Sequence, residues 1–175
     1  WWGFVHASLW EANTTACGVH EAWARVIRVR REQLTALGAP HPYLAWLSID
    51  EAAALVRCGD WRGATELTRV ALGSDPGTLG DIQARLVAAE LAAAQGRQHE
   101  AEDHLARADE LSADTTAFRA WQFDAVRTLV RTGAGDARGA YAAAMTGLLS
   151  DGVPPTMCEW LCPLAARALA DRVTD

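Results

Sequence analysis

The sequence has almost none of the alternating runs of Val, Ile, Thr and aromatic residues that mark β-strands. Alanine is abundant, and Leu, Arg and Glu make up much of the remainder; all of these favour helix. Half of the 175 residues are apolar, which is enough to bury one continuous core. We therefore predict an all-α fold and a single domain over residues 1–175.

Several functional classes are disfavoured by what the chain lacks. The net charge is −6 and the basic residues do not gather into one block, so the positive surplus needed for nucleic-acid phosphates is missing. No apolar run reaches bilayer length, and the chain does not open with a signal peptide. We expect a cytoplasmic protein that binds neither nucleic acid nor membrane directly. Because the sequence begins Trp1-Trp2, we also expect it to be a fragment of a longer protein.

Cysteine is sparse as well. The chain has four cysteines, Cys17, Cys58, Cys158 and Cys162, and all fall within helical patterns. We interpret them as reduced thiols. Cys158 and Cys162 lie one helical turn apart, but no second pair of zinc ligands accompanies them. No metal site is therefore predicted.

The usual signatures of catalysis are also missing. There is no Gly-x-Ser-x-Gly elbow. His99 and His104 are five residues apart, which puts them on different helix faces, and we interpret all five histidines as surface or loop residues. Asp50-Glu51 and Asp109-Glu110 are interpreted as solvated helix faces. We predict that the protein is not an enzyme and has no cofactor; an unrecognised active site would need a polar pocket with clustered titratable groups.

Hydrophobic periodicity and breaking residues divide the chain into helices. Residues 19–37 show the clearest apolar stripe, and Gly38 follows at a position typical of a helix end. Pro40 and Pro42 then argue against an immediate new helix. The predicted helices are 1–16, 19–37, 43–58, 61–73, 79–95, 98–112, 115–132, 137–150 and 156–172. Short loops between them make consecutive helices antiparallel.

Three stretches share a pattern of small residues at equal spacing. Each begins with a glycine, has an alanine five positions later, and has a second small residue seven positions beyond that. The glycines are Gly59, Gly96 and Gly135, the alanines Ala64, Ala101 and Ala140, and the second small residues Ala71, Ala108 and Gly147. Glycine lets the chain reverse at positive φ, and small side chains let helices cross closely. Glycine spacings of 37 and 39 residues therefore predict stacked helical hairpins.

Residues 59–76 resemble the second half of a tetratricopeptide repeat. The matching positions are Gly59-Asp60-Trp61, in place of the usual Gly-Asp-Tyr, then Ala64, Ala71-Leu72 and Asp75-Pro76. Residues 82–111 match mainly in their second helix, and residues 121–150 lack the closing proline. The resemblance implies a tetratricopeptide-like right-handed solenoid of antiparallel helical hairpins, with about nine helices.

Residues 23–111 also resemble the helical region of large LuxR-type transcriptional regulators that carry an N-terminal ATPase domain. The similar segments are Leu34-Thr35-Ala36-Leu37-Gly38, Tyr43-Leu44-Ala45-Trp46-Leu47, Glu51-Ala52-Ala53-Ala54-Leu55, Gly59-Asp60-Trp61-Arg62-Gly63-Ala64, Arg85-Leu86-Val87-Ala88-Ala89-Glu90-Leu91, Ala94-Gln95-Gly96-Arg97 and Ala101-Glu102. The resemblance implies an ATPase domain before this segment and a helix-turn-helix after it. This chain contains neither a phosphate-binding loop nor a recognition helix after its last helix.

For this segment the resemblance implies a sensor or interaction role. Its partners would be a protein, a peptide or a small effector, or the ATPase and DNA-binding domains of the same parent chain. Exposed apolar end faces would favour a homodimer. The alternative is a generic tetratricopeptide scaffold that mediates protein–protein interaction without a link to transcription.

The first helix of each hairpin is expected to face the inner surface of such a solenoid. The predicted concave groove consists of Trp46, Ile49, Ala53, Arg57, Gln83, Leu86, Glu90, Gln122, Ala125 and Leu129. Arg57 and Glu90 among apolar residues suit a peptide or an amphipathic helix. The chain's eight tryptophans are interpreted mainly as core packing between helices, with a groove lining as the alternative for some of them.

Overall fold

The computed structural model describes residues 1–16, 19–113, 120–153 and 155–174, with side chains over 1–9, 19–113, 122–153 and 158–173. These residues form nine α-helices and no strand, which confirms the prediction of an all-α fold. The helices are α1 (Trp2–Ala16), α2 (His20–Ala36), α3 (His41–Cys58), α4 (Trp61–Leu72), α5 (Gly77–Ala94), α6 (Gln98–Ser112), α7 (Ala120–Gly133), α8 (Ala137–Leu148) and α9 (Pro155–Thr174).

Four predicted boundaries differ from the structure by two residues: α3 and α5 begin earlier than predicted, α8 ends earlier, and α9 ends later. Helix α3 begins at His41, two residues early, with Pro42 in its first turn. A proline is tolerated there because the first amides of a helix have no intrahelical acceptor. Helix α9 continues through Pro163 to Thr174. Gly18, Pro154 and the predicted helical residues 115–119 lie outside the described residues.

The helices pack in a regular order along the chain. Each helix contacts the next one, and each odd-numbered helix also contacts the next odd-numbered helix, from α1 to α9. Within the described parts of the chain, no two even-numbered helices pack on each other. We call α1, α3, α5, α7 and α9 the odd layer. In this layer, helices two positions apart along the chain contact each other.

The three repeated glycines adopt the conformation that the repeat predicts. Their φ angles are +79°, +72° and +75° at Gly59, Gly96 and Gly135. After two of them an aspartate caps the next helix: the Asp60 carboxylate accepts a hydrogen bond from the Gly63 amide at 3.0 Å, and Asp136 accepts one from Gly139 at 2.8 Å. The same turn therefore recurs before α4 and α8.

The small residues of the repeat are buried at helix crossings. Ala64, Ala71, Ala101, Ala108 and Ala140 have no exposed surface, and Gly147 is also buried. A Cβ atom on Gly147 would lie 3.0 Å from Cβ of Asp124 on α7 and 3.1 Å from a methyl of Leu161 on α9. Larger side chains at these positions would push neighbouring helices apart.

The core follows the odd layer as three apolar clusters. The first joins α1, α2 and α3, the second joins α2 to α5, and the third joins α5, α6 and α7. Trp23, Trp46 and Trp160 pack against these clusters. The interpretation of tryptophan as core packing is wrong for three side chains, which are more than 40% exposed: Trp1, Trp2 and Trp61. The side chains of Trp10 and Trp121 lie outside the described residues.

Candidate functional site

All ten residues of the predicted groove lie on three odd-layer helices, α3, α5 and α7. Half of them are partly buried and reach the surface: Trp46, Arg57, Gln83, Gln122 and Leu129. The other half are at most 5% exposed: Ile49, Ala53, Leu86, Glu90 and Ala125. Ile49 and Ala125, at 1% and 0% exposure, lie beneath this surface. The groove as a binding surface stays a prediction.

The structure brings two of the predicted residues into direct contact. Arg57 Nε on α3 donates to Glu90 Oε1 on α5 at 3.3 Å. The Arg57 guanidinium carbon also lies 4.2 Å from the centroid of the Trp160 ring on α9. A guanidinium on an indole face is an attractive cation–π contact. The positive charge of Arg57 also acts on the carboxyl group of Asp50. We call Arg57, Glu90, Trp160 and Asp50 the Arg57 cluster.

Burial sets the electrostatics of this cluster. It raises the pKa of Asp50 to about 7, against the opposing charge of Arg57. Burial also raises the pKa of Glu90, again opposed by the charge and hydrogen bond of Arg57. The pKa of His20 is lowered, first by burial and then by the positive charge of Arg57. One arginine thus influences three titratable groups on α2, α3 and α5.

Sequence reasoning missed two members of the Arg57 cluster. The sequence predicts a solvated helix face for Asp50, but Asp50 lies four residues after Trp46 and seven before Arg57, on the same stripe of α3. That spacing is a signal that could have identified it. Trp160 could have been found by treating α9 as one more first helix of a hairpin.

The prediction of a solvated helix face is wrong for Glu51. It is 1% exposed, and its two carboxylate oxygens accept hydrogen bonds from Arg28 Nε at 2.7 Å and Arg31 Nε at 2.9 Å. Both arginines lie on α2, so Glu51 ties α3 to α2. The two residues Asp109 and Glu110 differ in their exposure. Asp109 is partly buried and pairs with an arginine of α7, whereas Glu110 is exposed.

Two histidines differ from the predicted surface or loop setting. His20 and His104 lie within helices and are partly buried. The His104 ring lies 3.4 Å from the Arg85 guanidinium, and burial, then the charge of Arg85, lowers its pKa. His6, His41 and His99 are exposed, and all three lie in helices.

An open pocket of about 670 Å³ lies where α3 and α5 begin, at the opposite end of α3 from Arg57. We call it the aromatic pocket; it is lined by Trp2, Pro42, Tyr43, Trp46, Asp75, Pro76, Gly77, Thr78 and Leu79. The Trp2 ring centroid lies 6.0 Å from that of Tyr43 and 5.4 Å from that of Trp46, the latter edge-on. Sequence reasoning missed the pocket because its walls come from α1, α3, the turn before α5 and the first residues of α5.

Gly80 has no side chain, and this leaves room for Trp46 in the wall of the aromatic pocket. A Cβ atom at Gly80 would lie 3.3 Å from Cε2 of Trp46 and 2.6 Å from Cβ of Pro76. The missing side chain therefore lets both the indole and the proline ring lie close to the backbone of α5.

The described residues contain no group of three or more His, Cys, Asp or Glu side chains that could hold a metal ion. None of the helices in those parts of the chain is long and apolar enough to cross a membrane. Cys58, Cys158 and Cys162 are free thiols, and Cys17 lies outside the described residues. Comparison with protein-family models, with curated proteins and with solved structures finds no match to this chain.

Proposed function

We propose that this chain is a non-catalytic, tetratricopeptide-like right-handed solenoid that binds a protein, a peptide or a small effector within a LuxR-type transcriptional regulator. The observation that carries the proposal is the packing order. In backbone packing, each odd-numbered helix lies against the next odd-numbered helix, and within the described residues each even-numbered helix lies only against its odd-numbered neighbours. The side-chain contact between Arg57 on α3 and Trp160 on α9 is longer in range. Nearest-neighbour stacking of hairpins is the defining property of a repeat array.

The recurring turn supports the same proposal. Three hairpins have a glycine at positive φ between their helices and an alanine without exposed surface five residues later. A bundle without repeats has no reason to place the same pair of residues at every second turn, three times over. The regulator context rests on the resemblance of residues 23–111, which is carried by residues of these hairpins.

The binding surface of the proposal is the partly buried face of the odd layer. Trp46 and Arg57 lie on one stripe of α3, eleven residues apart, which corresponds to about 16 Å along a helix. Ala53 lies between them on the same stripe, and its small side chain leaves space over the helix between Trp46 and Arg57. A partner segment would therefore place an apolar group on Trp46 and a polar group near Arg57.

Hydrogen exchange tests the repeat architecture. Ala143→Pro breaks α8, because proline removes a helical hydrogen bond and clashes with the preceding turn. In a stack with nearest-neighbour energetics we expect amide protection to fall in α7, α8 and α9, while α2, α3 and α4 keep theirs. Simultaneous loss of protection in all the described helices would contradict a repeat array.

Binding to the parent chain's own ATPase domain tests the function. First, the gene that encodes this chain is sequenced on both sides, to look for a phosphate-binding loop upstream and a helix-turn-helix downstream. The ATPase domain is then titrated against the chain. We expect Trp46→Ala and Glu90→Lys each to weaken binding about tenfold or more. Trp61→Ala, which removes an exposed tryptophan of α4, is the matched control. A gene lacking both flanking domains would leave only the generic scaffold.

A further inference from the structure

We propose that the aromatic pocket binds a small alkylated ammonium compound that carries an oxygen close to its nitrogen. We thereby name the effector class of the proposed function, on which this assignment rests. The pocket's volume of about 670 Å³ lies within the usual range for small-molecule sites.

The aromatic walls favour a cation. Trp2, Tyr43 and Trp46 bring three π systems to one cavity, with ring planes inclined at 55° between Trp2 and Tyr43 and at 70° between Trp2 and Trp46. Inclined rings around a shared space can surround an alkylated ammonium group, whose methyl groups contact the ring faces while its charge interacts with their quadrupoles.

Asp75 supplies the matching negative charge. It lines the same cavity at the turn before α5, and it is held at a φ of +45°, in the left-handed region that non-glycine residues rarely adopt. Asp75 thus adds an exposed, negatively charged side chain to the lining that also contains the three rings. An anionic ligand would meet repulsion from Asp75, whereas an ammonium group would be attracted to it.

The N-terminal end of α5 is the reason that we expect the ligand to carry an oxygen. Gly77, Thr78 and Leu79 are the first three residues of α5 and line the pocket, and no side chain caps this end of the helix. Amide groups in the first turn have no intrahelical acceptor and can donate to a ligand oxygen. Together with the rings and Asp75, they suit a compound such as choline, in which a hydroxyl lies two carbons from the ammonium nitrogen.

Calorimetric titration of the chain with choline chloride, at ionic strength matched with sodium chloride, tests the assignment. We expect a dissociation constant of about 1 mM or tighter. Two further ligands separate the contributions. 3,3-Dimethylbutanol has the shape and the oxygen of choline without its charge, and tetramethylammonium has the charge without the oxygen. Both should bind more weakly than choline, the neutral compound by about tenfold or more.

Variants locate the site. Tyr43→Leu and Trp46→Leu should each weaken choline binding about tenfold, and Asp75→Asn should weaken it several-fold while tolerating the left-handed backbone. Trp61→Leu, which changes an exposed tryptophan of α4 that does not line the pocket, should leave it unchanged. Thermal unfolding of each variant checks that it is folded.

Equal binding of choline and 3,3-dimethylbutanol would overturn the assignment, as would the absence of binding up to about 20 mM choline. Either result leaves the titration with the ATPase domain unaffected, so a failure here is distinguishable from a failure of the proposed function. Retained choline binding in both aromatic variants would also overturn it, because the cation would then lie elsewhere.

Discussion

The guanidinium of Arg57 lies 4.2 Å from the centre of the Trp160 ring, although two other odd-layer helices come between α3 and α9 along the chain. The same guanidinium donates to Glu90 on α5. Three helices that are not all neighbours in packing order are thus joined by one side chain. The contact bridges the odd layer near the C-terminal end of α3, while the aromatic pocket lies at the N-terminal end of the same helix.

A double-mutant cycle should detect the Arg57–Glu90 pair. Arg57→Met keeps an apolar stem against Trp160 but leaves the Glu90 carboxylate buried without its cation, and we expect a loss of about 2 kcal/mol in the free energy of unfolding at pH 8. The variant with both Arg57→Met and Glu90→Leu should recover at least about half of that loss. Urea denaturation measures each value, and strictly additive effects would show that the pair has no coupling.

Asp50 should make the stability of the fold depend on pH. Its folded-state pKa of about 7 is above the value of an unfolded aspartate, so the folded state binds the extra proton between about pH 4 and 7. The contribution is complete below the unfolded pKa and is lost as the pH rises through 7. Between pH 6 and 8.5 we expect the wild-type chain to lose about 1 kcal/mol more than Asp50→Asn, measured by urea denaturation.

The buried Glu90 titrates in the same direction, since burial also raises its pKa. It is present in both chains of this comparison, so its contribution largely cancels in the difference. Parallel pH profiles for the wild-type chain and Asp50→Asn would contradict the assignment of the effect to Asp50.

Local signals explain which features the sequence could predict. Gly59 and Ala64 act within one turn between two helices, so their roles follow from spacing alone. Asp50 and Glu51 are adjacent in the sequence but point about 100° apart on α3. Glu51 faces two arginines of α2, whose positions depend on how α2 packs, and periodicity in α3 cannot supply that information.

The same limit applies more strongly to the two candidate sites. Trp160 meets Arg57 only because the intervening helices stack with the observed spacing. The aromatic pocket requires α1 to bring Trp2 beside α3, and it requires an unusual backbone at Asp75. The repeat pattern could have identified Trp160 as a residue of the odd layer, but neither its contact with Arg57 nor the aromatic pocket follows from a fixed sequence interval.

Glu51 should contribute more to stability than an exposed glutamate in an ion pair. Glu51→Gln removes the charge that two arginines of α2 share, and an amide can accept from only one of its two terminal atoms. We expect a loss of about 2 kcal/mol in the free energy of unfolding. Glu66→Gln is the matched control, because Glu66 pairs with Arg69 on the exposed face of α4.

No measurable change is expected for that control. Comparable losses for the two substitutions, in urea denaturation at pH 7, would show that burial of the Glu51 carboxylate adds nothing to the link between α2 and α3.

Gly147→Ala tests whether close helix crossing governs the fold. Alanine should favour α8 by about 1 kcal/mol through helix propensity. The new Cβ would, however, lie 3.0 Å from Cβ of Asp124, which the α7 backbone holds in place, and 3.1 Å from a methyl of Leu161. Because one of these neighbours cannot move without its helix, we expect the crowding to outweigh the propensity and a net loss of about 1 kcal/mol. Gly3→Ala in α1, where nothing lies within 4 Å of the new Cβ, should be neutral or stabilising in the same thermal unfolding measurement. A stabilised Gly147→Ala chain would mean that α7, α8 and α9 can separate at no cost, contrary to a stack that depends on small residues at its crossings.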